Sequence, residues 1–192
     1  MTNFFTQRYS RQGLWSLFLM CAFPLHLWTL LLAFRDLSWL TDRTNAWDAV
    51  GVASYGLVFA LIESVTIFLV LVLLGFLVSK QWGQNRRIAL LTILALIVSL
   101  WAMVSQLFFL LGISPSGWIL NSLAQTAHPV RIMYIAFLVV VTPTILVPAW
   151  LVLRSDKFFQ FLQVLIDRLS LLTMFYLVFD FIGLVIVIIR NV

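Results

Sequence analysis

Five long runs of apolar residues, separated by short polar connections, leave this chain few folds to choose from. They fall at roughly 14–34, 49–78, 88–112, 131–153 and 166–189. Each is long enough to cross a hydrocarbon layer, which takes ~20 mostly apolar residues as a helix. Hydrocarbon offers no partner for a bare N–H or C=O, so such runs fold as helices, which pair these groups internally. The expected fold is an all-α integral membrane protein: one bundle of about five transmembrane helices, with short interfacial segments.

Composition agrees. Residues 1–192 are 63% hydrophobic and 10% charged, against ~25% charged in soluble domains, and the mean hydropathy is +1.08. Neither tail runs far before apolar sequence begins, so a single membrane domain with no soluble appendage is expected. The run from Gly13 to Phe34 is too long for a signal-peptide core, and no small-residue cleavage site follows it, so it is read as a helix. Cys21 is the only cysteine, which excludes intrachain disulfides and a paired-cysteine metal site.

The stretch from Ile88 to Val130 carries no charge, but Pro115, Gly117, Asn121, Gln125 and His128 make its second half too polar for another span. An interfacial segment, partly helical after Ser114, is expected there. Asp156–Arg168 mixes aromatic, aliphatic and charged residues and reads as a second interfacial helix; the alternative is an extension of the last span.

Lysine and arginine are retained on the cytoplasmic side of a membrane. With the N-terminus in the cytoplasm and the C-terminus outside, Arg8, Arg11, Lys80, Arg86, Arg87, Arg154, Lys157 and Arg168 lie inside, against Arg35, Arg43, Arg131 and Arg190 outside. Tryptophan favours both interfaces. Trp15, Trp82 and Trp150 then mark one boundary and Trp39, Trp47 and Trp118 the other, with Trp28 and Trp101 deeper, as packing residues. The plasma membrane, the inner membrane of a cell, is the expected location.

Ionisable residues inside spans cost about 2.5–3.5 kcal/mol on insertion scales, so their positions are informative. Glu63 and Asp180 sit near the centres of their spans, and the alternating helix directions bring His26 to a similar depth. Gly56, Ala60 and Ser64 form a small-residue row that favours close helix approach, and Glu63 lies beside it, which predicts that Glu63 faces protein. Helical spacing also puts Ala22, His26, Thr29 and Ala33 on one face, and Thr173, Tyr176, Asp180 and Gly183 on another. Thr92, Ala95, Ser99, Ala102 and Gln106 line a third, and Thr142 supplies a hydroxyl on the fourth span. His26, Glu63, Asp180, Ser99, Gln106 and Thr142 are thus the candidate polar site. Pro24, Pro143 and Pro148 interrupt backbone bonding within their helices, with Thr142 and Thr144 beside Pro143 to satisfy freed carbonyls.

Such a seam serves either to hydrogen-bond helices together, at ~0.6 kcal/mol each on average, or to bind a cation, relay protons or hold a polar ligand. Chemistry beyond that finds no support. Two separated histidines make neither an HExxH zinc site nor an adequate set for two haems, and there is no phosphate-binding glycine loop and no GxSxG. No catalytic residue, metal or cofactor is expected. The net charge of +5 falls mostly between apolar blocks, where it contacts lipid headgroups and not nucleic acid. The expected partners are the bilayer and either another membrane protein or a second copy of the chain. The expected role is a non-enzymatic subunit, scaffold or accessory protein of a membrane complex, the alternative a small transporter, channel or ligand-binding membrane protein.

Overall fold

The computed structural model describes residues 8–79, 81–114 and 116–192; Lys80 and Pro115 lie outside the described residues. The described chain is helical: α1 (Arg11–Arg43), α2 (Ala46–Leu74), α3 (Gln84–Leu110), α4 (Gly117–Ala124), α5 (Pro129–Arg154) and α6 (Asp156–Asn191). Five of these are long and apolar enough to cross a membrane; α4 is not.

Helix ends follow capping chemistry. The Ser10 side chain accepts from the Gly13 amide at 3.0 Å, the Asn45 side chain from the Asp48 amide at 2.8 Å, and the Ser155 hydroxyl from the Phe158 amide at 3.3 Å, each satisfying a donor left over in a first turn. Two boundaries differ from expectation. Asp156–Arg168 is no separate interfacial helix: it is the start of α6, because Ser155 caps it and neither proline nor glycine occurs before Gly183. Likewise α1 continues past Phe34 to Arg43, with nothing to stop it before the extended backbone of Thr44. At 1.5 Å per residue its 33 residues span about 50 Å, well beyond the ~30 Å hydrocarbon thickness.

Helix α1 is the hub. It packs along α2, α6 and α3, while α2 also packs along α6, giving a three-helix core of α1, α2 and α6. Helix α3 leans on α1 and α5, and α4 touches α5. Burial follows this order. Leu17, Leu19, Met20, Cys21, Ala22, Pro24 and His26 of α1 are buried, whereas α5 buries Val152 alone and α4 buries nothing.

Polar clasps close both ends. At one end, here the basic end, the buried Arg87 donates to the carbonyls of Arg8 at 2.8 Å, Ser79 at 3.2 Å and Trp82 at 3.3 Å. The Tyr9 hydroxyl donates to the Val72 carbonyl at 2.7 Å. Burial pushes the Tyr9 phenol above its ordinary value, against the pull of Arg87 and Arg8, so it keeps the proton that it donates. Arg86 reaches the Leu153 carbonyl at 2.6 Å and pairs with Asp156, joining α3 to the α5–α6 corner. At the opposite end Arg190 donates to the Trp47 carbonyl at 2.6 Å and pairs with Asp48 at 2.7 Å. The starts of α1, α3 and α6 and the ends of α2 and α5 therefore share one end, and with it most of the basic residues.

Gly75 makes the Tyr9 clasp possible, because a side chain there would overlap the Tyr9 hydroxyl and press on Leu91. Gly75→Ala is expected to cost roughly 1–3 kcal/mol, the range for overpacking, read as a lowered thermal midpoint in detergent. Tyr9→Phe should cost about 1 kcal/mol, one buried hydrogen bond. Because the folded phenol titrates above its unfolded value of ~10, the contribution of the wild-type contact is complete below that pH. It is lost as pH rises through the folded value, so the Tyr9→Phe difference should shrink there.

Candidate functional site: a buried histidine and aspartate

His26 of α1 and Asp180 of α6 meet in the core. The His26 Nε2 lies 2.9 Å and 2.8 Å from the two Asp180 carboxylate oxygens, and the residues are 0% and 2% exposed. His26 Nδ1 lies 2.8 Å from the Ala22 carbonyl one turn back. Tyr176, one turn before Asp180, stacks on the imidazole at 6.2 Å between centroids and on Phe23 at 6.3 Å. The buried residues of α6 include Thr173, Tyr176, Asp180 and Gly183, a row at helical spacing. Gly183 faces the α2 backbone at Ser54, where an added Cβ would make an ordinary van der Waals contact at 3.4 Å.

The bonding assigns the proton on one ring nitrogen. A carbonyl only accepts, so Nδ1 carries a hydrogen toward Ala22. Nε2 then either donates to a carboxylate, as imidazolium, or accepts from a carboxylic acid. Both arrangements share a single proton and are neutral overall, which is what a low-dielectric surrounding tolerates. Neither residue lines the cleft at the basic end, the one beside Arg131 or the one between α3 and α5. Among the described residues no three histidine, cysteine, aspartate or glutamate side chains group as metal ligands.

The remaining candidates do not join this pair. Glu63 is exposed on the outer side of α2, contrary to the expectation that it faces protein. The inward stripe of α2 runs through Leu57, Ala60, Ser64 and Leu71, and Glu63 lies about 100° round the helix from Ser64. Its face is the one that carries Phe59 and Thr66. Ala60 and Ser64 are buried, the Ser64 hydroxyl donating to the Ala60 carbonyl at 2.6 Å, and an added Cβ at the half-buried Gly56 would stand 3.2 Å from Thr29. Ser99 is half-buried, and Gln106 and Thr142 are exposed. The polar row of α3 enters the core only at Thr92 and Ala95, because the C-terminal half of α3 leaves the core.

Two contacts escaped sequence reading. Trp28 donates its indole N–H to Gln106, linking α1 to α3. Trp101 donates to the Thr144 hydroxyl at 2.9 Å, linking α3 to α5, while Thr144 donates to the Val141 carbonyl at 2.7 Å. That carbonyl is not the one freed by Pro143, which belongs to Val139. Depth was the available signal: a tryptophan far from either interface needs a partner for its N–H.

Truncating one member of a buried pair leaves the other uncompensated, a loss of about 3–5 kcal/mol. Asp180→Ala should therefore lower the thermal midpoint in detergent strongly. Asp180→Asn should lower it much less, because the amide N–H donates to a neutral Nε2. Equal losses in the two variants would contradict the assigned bonding. No family model, curated protein or solved structure matches this chain.

Proposed function

We propose that this chain is a non-enzymatic integral membrane protein that serves as a subunit, scaffold or accessory protein of a membrane complex. In this reading the basic end and the N-terminus lie in the cytoplasm, the C-terminus lies outside, and the membrane is the plasma membrane, the inner membrane of the cell. Positive charge at the end where α1 begins supports that orientation.

The observation that carries the proposal is the placement of Glu63. A carboxyl group midway along an apolar helix is costly against lipid, and the core of this chain does not cover it. Phe59, 63% exposed, and Thr66 share its face. A membrane-protein neighbour, heterologous or a second copy, would supply the missing hydrogen-bond partner. The transporter or channel alternative draws on the same ionisable residues, but His26 and Asp180 are occupied with each other in tight helix contacts, which favours the accessory role.

A photo-crosslinking amino acid at Phe59, one turn from Glu63, tests this in native membranes. The expected product is a discrete protein adduct, either twice the mass of the chain or the chain plus one partner, that weakens with Glu63→Ala. Crosslinks to lipid alone would contradict the proposal.

A further inference from the structure

A second polar region lies away from the buried pair. A cleft of about 580 Å³ opens at the basic end, where the first turns of α1 and α3 face α6, a volume within the ~300–1,000 Å³ of small-molecule sites. Its polar lining includes Ser10 before α1, Gln12 and Ser16 of α1, Asn85 of α3, and Gln163, Asp167 and Ser170 of α6. The α6 residues are spaced by four and three, so they form one stripe along that helix. Trp15, Leu171 and Met174 provide the apolar part.

Two features set the chemistry of an occupant. The first is sign. The basic end holds Arg8, Arg11, Arg86, Arg87, Arg154, Lys157 and Arg168, yet among the described residues no lysine or arginine lines the cleft. Its charged group is the Asp167 carboxylate, which makes no ion pair among the described residues. The second is an unmet hydrogen bond. Two buried hydroxyls, of Thr92 and of Ser170, have no partner among the described residues, a state that calls for an explanation in a folded interior, and of the two Ser170 is the one that lines the cleft. An anionic headgroup suits neither the carboxylate nor the absence of cations; an ammonium with hydrogen-bonding groups beside it suits both.

We propose that this cleft binds one amphiphile with an ammonium headgroup. Asp167 is its counter-ion, Ser170 and Gln163 are hydrogen-bond partners, and the apolar tail lies along Trp15, Leu171 and Met174. The proposal depends on immersion of the helices in a bilayer and not on the identity of any protein partner.

The test uses the full chain in detergent and native mass spectrometry. Phosphatidylethanolamine and phosphatidylglycerol of identical acyl chains compete at equal concentration, and dodecylammonium serves in parallel as an ammonium amphiphile without phosphate. The expected result is a one-to-one adduct with an ammonium amphiphile, favoured over phosphatidylglycerol roughly fivefold, as an exposed ion pair of ~1 kcal/mol gives. Asp167→Asn, at an exposed position, should abolish the preference without moving the thermal midpoint, and Ser170→Ala should weaken retention. An Asp167-dependent adduct with phosphatidylethanolamine identifies a bilayer lipid as the source, and one with dodecylammonium alone a free amine. Equal retention of both phospholipids with no dodecylammonium adduct, or a preference unchanged in Asp167→Asn, would overturn the proposal.

Discussion

A polar group placed in hydrocarbon must find its partner within the protein, because no water is there to supply one. The contact between His26 and Asp180 meets that requirement at the centre of the fold. It ties α1 to α6 through two buried side chains, 2.8 Å apart at their closest, and the Ala22 carbonyl and the Tyr176 ring fix the imidazole from two further sides. Removing either charge partner strands the other. The pair therefore specifies which helices meet and in what register, beyond what apolar packing against lipid-like neighbours can specify.

The same rule shapes both ends. Backbone carbonyls take up much of the arginines' hydrogen bonding: Arg87 donates to three of them, while Arg86 and Arg190 each combine one carbonyl, of Leu153 and of Trp47, with a carboxylate, of Asp156 and of Asp48. Of these carbonyls, that of Leu153 lies in the last turn of α5, the end of a helix that carries partial negative charge. The core of α1, α2 and α6 is clasped at both ends and pinned in the middle, whereas α5 buries one residue and contributes mainly apolar surface. That contrast separates a half that is clasped and buried within the chain from a half that leaves most of its apolar surface uncovered by the chain.

Much of this was legible in the sequence, and the failures are instructive. The apolar runs located all five long helices, since hydrocarbon length and backbone bonding leave little freedom. Helix ends were missed where the stop depends on local capping: Ser155 starts α6 earlier than hydropathy indicates, and Thr44 ends α1 later. Periodicity picked out the α6 row of Thr173, Tyr176, Asp180 and Gly183, all of them buried. It failed for Glu63, because residues one position apart are separated by 100° and a neighbour of Ser64 need not share its face. His26 shares its depth with two acids, Glu63 and Asp180, and only the packing of α1 against α6 brings Asp180 into contact with it. The tryptophan hydrogen bonds to Gln106 and Thr144 depend on how far α3 stands from α1 and α5, which no single helix records.

The exposed apolar faces call for hydrocarbon around them, and that of α5 most of all, since among its residues Val152 alone is buried. Amide hydrogen exchange of the chain in lipid nanodiscs is the direct measurement. Slow exchange along the middle of α5, comparable with that of α1 and α6, is the predicted result, because lipid keeps water from the hydrogen-bonded amides of a helix that little of the chain covers. Fast exchange there, with protection confined to α1, α2 and α6, would contradict a bilayer-spanning bundle.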